Sequence, residues 1–91
     1  MSGGSLAITG NMTMSEARAL LAAGVAALSN DDPVFDLSGV AEVDSSSLAV
    51  LFGWQRAAAA RGKSIHVANP PASLVSLAEV YGVTDLLPLS A

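Results

Sequence analysis

The feature that most constrains the fold of this chain is a regular alternation between strand-type and helix-type segments. Apolar residues recur at every second position within residues 6–9, 34–37 and 64–68, as they do in half-buried strands. After each of these segments, apolar residues recur three or four positions apart, which is the period of an amphipathic helix. Strand and helix thus alternate three times, and this order predicts an α/β fold with largely parallel central strands.

The first helix has recognisable start and stop signals. Thr13 and Glu16 have the spacing of a capping box, in which a hydroxyl and a carboxylate satisfy free N–H groups at a helix start. One apolar face follows at helical spacing: Ala17, Leu20, Leu21, Gly24 and Leu28. The polar segment 29–33 ends in proline, so we expect the helix to stop there.

The other two helices are bounded by glycine and proline. The second should run over about residues 46–61 and end at Gly62, a residue type that tolerates the left-handed conformation after a helix. The third should open after residues 69–71 and end at Gly82. Its predicted apolar face consists of Leu74, Leu77, Ala78 and Tyr81. The apolar tail at 83–89 should pack against the body of the domain.

Composition limits the function classes. The 91 residues, 52% of them hydrophobic, predict a single domain spanning residues 1–91, with one modest core and no deep enclosed active site. The absence of cysteine excludes disulfides, thiolate catalysis and cysteine-based zinc sites, and one histidine cannot supply a histidine-rich metal site. A net charge of -4 argues against nucleic acid and anionic lipid as partners. We expect a protein partner, no cofactor and no metal.

The chain shows no targeting or membrane-spanning signal. No basic stretch precedes an apolar segment at the amino terminus, so we expect no export. The longest apolar or glycine run, residues 19–28, is about half the length needed to cross a bilayer. These observations predict a cytoplasmic protein that meets a membrane only indirectly, through a complex.

Two site patterns are weak on positional grounds. Residues 57–64 read A-A-A-A-R-G-K-S, which matches a loose phosphate-binding loop. Such a loop must follow a strand and open a helix, whereas here the alanines end a helix and a strand follows. Glu42 and Asp44 could share a metal ion, but two carboxylates two positions apart are a weak signal.

A hydrolase site is a remote alternative. It would need His66 to meet Ser45 or Ser46 through space, and no local pattern supports that geometry. His66 lies between two apolar residues of a strand, so its side chain should point to the opposite, solvent-facing side. We therefore expect no catalytic residue.

The most informative stretch is Asp44-Ser45-Ser46-Ser47. Aspartate and serine are preferred at helix starts, so one of these residues should cap the second helix. Two apolar stripes then run along that helix, and the stripe containing Ser47, Val50 and Trp54 exceeds what one helix layer should bury. We therefore expect a partly exposed apolar patch at Val50 and Trp54, as at many protein interfaces. A phosphate on one of the serines could switch such an interface off.

These residues resemble those of the STAS family, the sulfate transporter and anti-sigma factor antagonist domain. The resemblance covers nearly the whole chain and is most specific at Asp44-Ser45-Ser46-Ser47-Leu48. It rests also on the strand at 6–10, the strand at 34–38 and the ending at 77–88. It implies a STAS fold, with a small mixed, mostly parallel sheet, helices packed on one face and no catalysis.

Two branches of the family imply different partners. In the anti-sigma factor antagonist branch a kinase phosphorylates a serine of this loop, which by position would be Ser46, with Ser45 as the other candidate. In the small STAS subunit of the Mla-type phospholipid-trafficking ABC transporter, the position of Ser45 lies at the contact with the ATPase subunit. Ser47 departs from the glycine usual in both branches.

The resemblance therefore favours a non-enzymatic subunit of an Mla-type transporter. Its partner would be the ABC ATPase, at the inner face of the inner membrane, and its role would be to stabilise or regulate phospholipid transport for outer-membrane lipid asymmetry. The expected contact residues are Asp44, Ser45, Ser46, Ser47, Val50 and Trp54. The ending at 81–88 resembles this branch more than the other. The alternative is an anti-sigma factor antagonist that binds an anti-sigma factor kinase.

Overall fold

The structure, a computed structural model, describes residues 5–28 and 33–87 and contains three strand and helix pairs. The elements are β1 (Ser5–Met12), a 3-10 turn (Met14–Glu16), α1 (Ala17–Ala27), β2 (Val34–Val43), α2 (Ser46–Ala60), β3 (His66–Ala68), α3 (Ala72–Val80) and a second 3-10 turn (Thr84–Leu86). The predicted α/β order is confirmed. The loop expected at 29–32 lies outside the described residues. None of the described helices combines the length and apolar character that a bilayer crossing requires.

The three strands form one sheet in the order β1-β2-β3, and both pairings are parallel. The parallel core of the predicted sheet is thus confirmed, and no antiparallel strand lies within the described ranges. β2 has ten residues over the length that β1 covers with eight, because the pairing register between the two strands shifts twice. These bulges bring the end of β2 to Met12, so that both strands finish at the same edge.

The sheet buries one face and exposes the other. Ile8, Phe35 and Val67 are buried, whereas Thr9 and His66, which alternate with them, are exposed. Every helix adds residues to the same core, which therefore lies on one side of the sheet and confirms the predicted helix layer. The buried apolar side chains are Ile8, Met12, Leu28, Phe35, Leu37, Leu48, Val50, Leu51, Trp54, Ala58, Ile65, Val67, Leu74, Ala78 and Leu87.

Trp54 and Val50 are buried, with 0% and 3% of their surfaces exposed, so the exposed patch predicted there is wrong. The indole ring lies 4.4 Å from the ring of Phe35, centroid to centroid. Its Nε1 donates a hydrogen bond to the carbonyl oxygen of Leu20 on α1, at 3.0 Å. The second stripe is covered because α1 packs against the flank of α2, so a helix in this layer has two neighbours to bury against.

Glycine ends two helices as predicted, whereas the capping box does not form. Gly62 and Gly82 have φ values of 68° and 69°, in the left-handed region after α2 and α3. Thr13 makes no side-chain cap bond, because the 3-10 turn already gives the Glu16 N–H a partner in the Thr13 carbonyl, at 2.9 Å. Tyr81, expected on the buried face of α3, is 56% exposed because the helix has ended before it.

The tail after α3 is only partly buried. Leu87 packs into the core with 8% of its surface exposed, while Leu86 in the 3-10 turn is 60% exposed. The packing predicted for 83–89 is therefore confirmed at Leu87 and wrong at Leu86. Residues 88 and 89 lie outside the described ranges.

Candidate partner-binding site

Asp44 connects the starts of two helices. It follows β2 directly, and its Oδ1 accepts hydrogen bonds from the backbone N–H of Ser46, at 2.9 Å, and from the Ser46 hydroxyl. Its Oδ2 accepts a hydrogen bond from the backbone N–H of Met14, at 3.1 Å, in the turn before α1. One carboxylate therefore satisfies N–H groups at the starts of both segments.

The same contacts fix the charge of Asp44. Hydrogen bonds from the Ser46 hydroxyl and then from the Met14 N–H hold the pKa of this carboxyl below its ordinary value of 3.8, and partial desolvation opposes them. Asp44 is therefore a carboxylate at neutral pH. Its negative charge stands at the amino terminus of α2, where the helix dipole favours it.

The three serines of this stretch have different environments. Ser45 is exposed and makes no side-chain cap bond, so the cap that the sequence assigned to this stretch is Asp44. Ser46 is half-buried and donates its hydroxyl proton to Asp44. Ser47 is fully buried, and its Oγ donates to the carbonyl oxygen of Asp44, at 2.6 Å. The hydroxyl group most open to a partner is that of Ser45.

Ser47 does not block access to its neighbours. Its side chain has no exposed surface and is directed back to the Asp44 carbonyl oxygen, so it adds nothing to the surface outside the loop. Access to Ser46 is limited instead by its own hydrogen bond to Asp44.

An apolar groove, which the sequence did not predict, lies beside the serines between α1 and α2. It encloses about 270 Å³ and is lined by Ala17, Arg18, Leu21, Ala49 and Val50. Ala49 is exposed and lies one helical turn after Ser45, so the groove and the Ser45 hydroxyl share one surface. The spacing of Ala17 and Leu21 on α1 was visible in the sequence, but the open gap against α2 depends on how the helices pack.

The structure separates the residues of the hydrolase alternative. His66 pairs with Val34 at the first end of β2, whereas Ser45 and Ser46 follow its last residue, Val43. Because β2 covers the same length as the eight residues of β1, these ends are about 23 Å apart at about 3.3 Å per residue. His66 is exposed, as predicted. No serine and histidine pair is therefore formed from these residues.

The two other weak patterns also lack a site geometry. Residues 57–64 form the end of α2 and the turn after it, as expected from the reversed order. Across the described ranges, no three histidine or carboxylate residues come together as metal ligands, so Glu42 and Asp44 have no third partner there. Both carboxylates lie near the carboxyl end of β2.

Comparison with known proteins identifies the family. The chain belongs to the STAS domain family, and the family model that it matches over residues 2–88 is described as Mlab, STAS domain. No protein of curated function matches it in sequence. The family and the fold inferred from the Asp44–Ser47 stretch are thus confirmed.

Solved structures share the fold at low sequence identity. A Thermotoga maritima protein that has been assigned as an anti-sigma factor antagonist matches with a TM-score of 0.80 and 14% identity. The match covers 96% of this chain and 77% of that one. A sulfate transporter family protein from Wolinella succinogenes matches at 0.74 and 15%, covering 96% and 75%. The phosphorylated form of the Bacillus cell fate determinant SpoIIAA matches at 0.68 and 13%, covering 99% and 84%.

Proposed function

We propose that this protein is a non-enzymatic STAS subunit that binds and regulates the ATPase of a bacterial Mla-type ABC transporter moving phospholipids. The contact is the helix start at residues 44–47, with Ser45 as its exposed hydroxyl. The complex places the protein in the cytoplasm, at the inner face of the inner membrane. The description of the matched family model supports the transporter branch.

The observation that carries the proposal is the exposure of Ser45 on a rigid support. Asp44 holds the loop through bonds to the neighbouring serine and to the turn before α1, so Ser45 is presented in a fixed position. A preorganised polar group beside an apolar groove is the arrangement of a protein interface, with a polar contact at the edge of an apolar one. Trp54 and Val50 contribute by packing beneath this surface and not by projecting from it.

The experiment is co-purification with the ABC ATPase encoded in the same organism. Wild-type protein should retain the ATPase, and Ser45→Asp should reduce recovery of the ATPase about tenfold. The new carboxylate would have to lose bound water at the interface and would repel acidic groups of the partner. Aspartate is itself a good residue at a helix start, so the variant should fold. Ser76→Asp, an exposed serine on α3, is the matched control. Equal recovery with Ser45→Asp and wild type would remove Ser45 from the contact.

The second candidate function is an anti-sigma factor antagonist controlled by serine phosphorylation. The hydrogen bond between Ser46 and Asp44 favours it, because a phosphate on Ser46 would break that bond and add a charge near -2 beside a carboxylate. Such a change would loosen the link between the two helix starts. It would therefore alter the whole contact surface.

Incubation with the organism's anti-sigma factor kinase and ATP distinguishes the two candidates. Incorporation of phosphate, located by mass spectrometry and lost in Ser46→Ala but not in Ser45→Ala, would support the switch. Absence of phosphate, together with retention of the ATPase by wild-type protein, would contradict the switch and support the transporter role.

A further inference from the structure

We propose that the groove between α1 and α2 binds an acidic amphipathic helix of the partner protein, with one apolar side chain in the groove and one carboxylate on Arg18. This inference rests on the proposed function, since it specifies which part of the partner meets the surface beside Ser45. It adds a second contact that the Asp44–Ser47 stretch does not contain.

The groove is small, close to the lower limit of pockets that bind free small molecules. Its volume of about 270 Å³ is below the range of about 300 to 1,000 Å³ typical of small-molecule pockets. The walls are almost entirely apolar, because Ala17, Leu21, Ala49 and Val50 contribute hydrocarbon surface. One or two apolar side chains of a partner would fill such a space.

Arg18 gives the groove its charge preference. The chain carries four basic residues, and two of them, Arg61 and Lys63, donate to the carbonyl oxygens of Val25 and Leu28 near the end of α1. Arg18 is exposed and forms no ion pair with any residue in the described ranges. Its guanidinium can therefore bind a partner carboxylate in a bidentate manner.

The net charge of the chain makes this contact selective. With eight acidic residues against four basic ones, most of the surface repels an acidic segment. An acidic helix is attracted to an exposed basic residue, and Arg18 is the basic residue that lines the groove. The charge contact at Arg18 therefore favours binding of an acidic segment at this groove.

The shape of the groove favours a helix as the bound segment. The groove lies between two packed helices, and a third helix can place an apolar residue into such a gap. Outside the groove, Met14 is 77% exposed in the turn before α1 that Asp44 holds. Methionine adapts to the shape of a partner, so it extends the apolar contact toward the serines.

The first test locates the bound segment by cross-linking in the complex with the ATPase. The chain has no cysteine, so Ala49→Cys carries a single benzophenone maleimide label, and Ala72→Cys on α3 is the matched control. Ala49→Cys should cross-link to one partner helix that has an aspartate or glutamate within a turn of an apolar residue. A cross-link to a second copy of this chain, to a segment without acidic residues, or to nothing while the complex forms would overturn the inference.

The second test measures the charge contact. Arg18→Glu should weaken binding of the ATPase about tenfold or more, and Arg18→Gln should have an intermediate effect. Glutamate is favourable in the first turn of a helix, so folding should be retained. Arg56→Glu makes the same change in net charge on exposed α2 surface outside the groove lining, and it should change affinity less than threefold. Equal effects of Arg18→Glu and Arg56→Glu would mean that affinity depends only on net charge, and this result would overturn the inference.

The outcomes separate this inference from the proposed function. If Ser45→Asp releases the ATPase and Arg18→Glu does not, the proposed function stands and the groove inference fails. If the ATPase does not bind at all, the proposed function fails. The cross-linking and charge-reversal tests are then repeated with the anti-sigma factor kinase, and they decide whether the groove binds an acidic helix of that protein. If neither protein binds the wild type, both proposals are overturned.

Discussion

Three adjacent serines with the same chemistry differ in what their hydroxyl groups can do. Ser47 is satisfied by a backbone carbonyl, Ser46 by the Asp44 carboxylate, and Ser45 is left to solvent. The sequence identified this stretch as functional because hydroxyl residues at a helix start exceeded the need for one cap. It could not rank them, because the ranking depends on the direction in which each side chain leaves the first turn of α2.

Asp44 should make stability depend on pH in the acid range. Its folded pKa is lowered, chiefly by the Ser46 hydroxyl, so its contribution is fully present above its ordinary pKa of 3.8 and is lost as pH falls through the lowered folded value. We expect the urea midpoint of wild type to fall below about pH 4. In Asp44→Asn, the midpoint should be lower at neutral pH and should fall less on acidification.

The control for this effect is Asp36. Its pKa is also lowered, first by the Ser38 backbone N–H and then by the Asn69 side chain, so Asp36→Asn should remove a separate part of the acid dependence. The double variant should show the sum of both effects, since the two carboxylates share no partner. An acid dependence in Asp44→Asn equal to that of wild type would contradict the assignment.

The addition of a methyl group should destabilise the protein at Gly24 but change its stability little at Gly53. At Gly24 a Cβ would lie 2.0 Å from Nε1 of the fully buried Trp54, so Gly24→Ala should destabilise by about 1 to 3 kcal/mol despite the better helix propensity of alanine. At Gly53 it would meet the mobile end of Leu21, at 2.6 Å. Gly53→Ala should stay within about 1 kcal/mol of wild type.

Urea unfolding of the two variants measures this difference directly. Both positions lie inside helices, so the change in intrinsic propensity is the same and only the contacts differ. Equal stability of Gly24→Ala and Gly53→Ala would mean that α1 and α2 adjust their separation freely. The close packing of the indole on α1 would then be wrong.

At the scale of elements, the pairing of α1 with α2 decides the role of Trp54. Two apolar stripes run along α2, and the assumption that one of them must face solvent led to the expectation of an aromatic contact residue. Because α1 packs beside α2, both stripes of α2 can be buried. The signal that was available is Gly24, a small residue in the middle of an apolar helix face, which leaves room for a large side chain from a neighbour.

Trp54→Ala should therefore unfold much of the protein, whereas Trp54→Phe should fold with reduced stability. Truncation of a buried tryptophan costs about 3 to 5 kcal/mol, close to the total stability of many small domains. Phenylalanine keeps the packing on Phe35 but loses the hydrogen bond to the Leu20 carbonyl, for a total cost of about 1 to 3 kcal/mol. Circular dichroism during thermal unfolding measures both variants.

This prediction also separates folding from binding. If Trp54 were an exposed contact residue, Trp54→Ala would keep the melting temperature of wild type and lose only the partner. That result would contradict the burial of the indole. A surface variant such as Ser45→Ala should show the reverse pattern, with stability unchanged and binding altered.

At the scale of the whole molecule, the order of elements followed from local patterns, while the surface did not. Hydrophobic periodicity, Gly62 and Gly82 were sufficient for six elements in the right order, because these signals act within a few residues along the chain. The groove and the link from Asp44 to Met14 depend on contacts between distant segments. Such contacts leave no periodic trace in one sequence.

A single core shared by all helices has a consequence for unfolding. α2 and α3 contribute buried side chains to one cluster on one face of the sheet, and half-buried side chains of α1 pack against it, so the departure of any one helix would expose this core. Small domains with one core usually unfold in a single cooperative step. Trp54, the chain's sole tryptophan, reports on the contact of α1, α2 and β2, while circular dichroism at 222 nm reports on all helices.

We therefore expect the two signals to give the same urea midpoint and the same slope, since all three helices pack on the core that contains Trp54. The slope should be about 1 kcal/mol per molar urea, as expected for the surface that so small a chain exposes. An earlier fluorescence transition would mean that α1 and α2 separate first, which would make the groove between them a variable feature. Coincident transitions would establish the groove as part of the rigid core, and a bound helix would then meet a preformed surface.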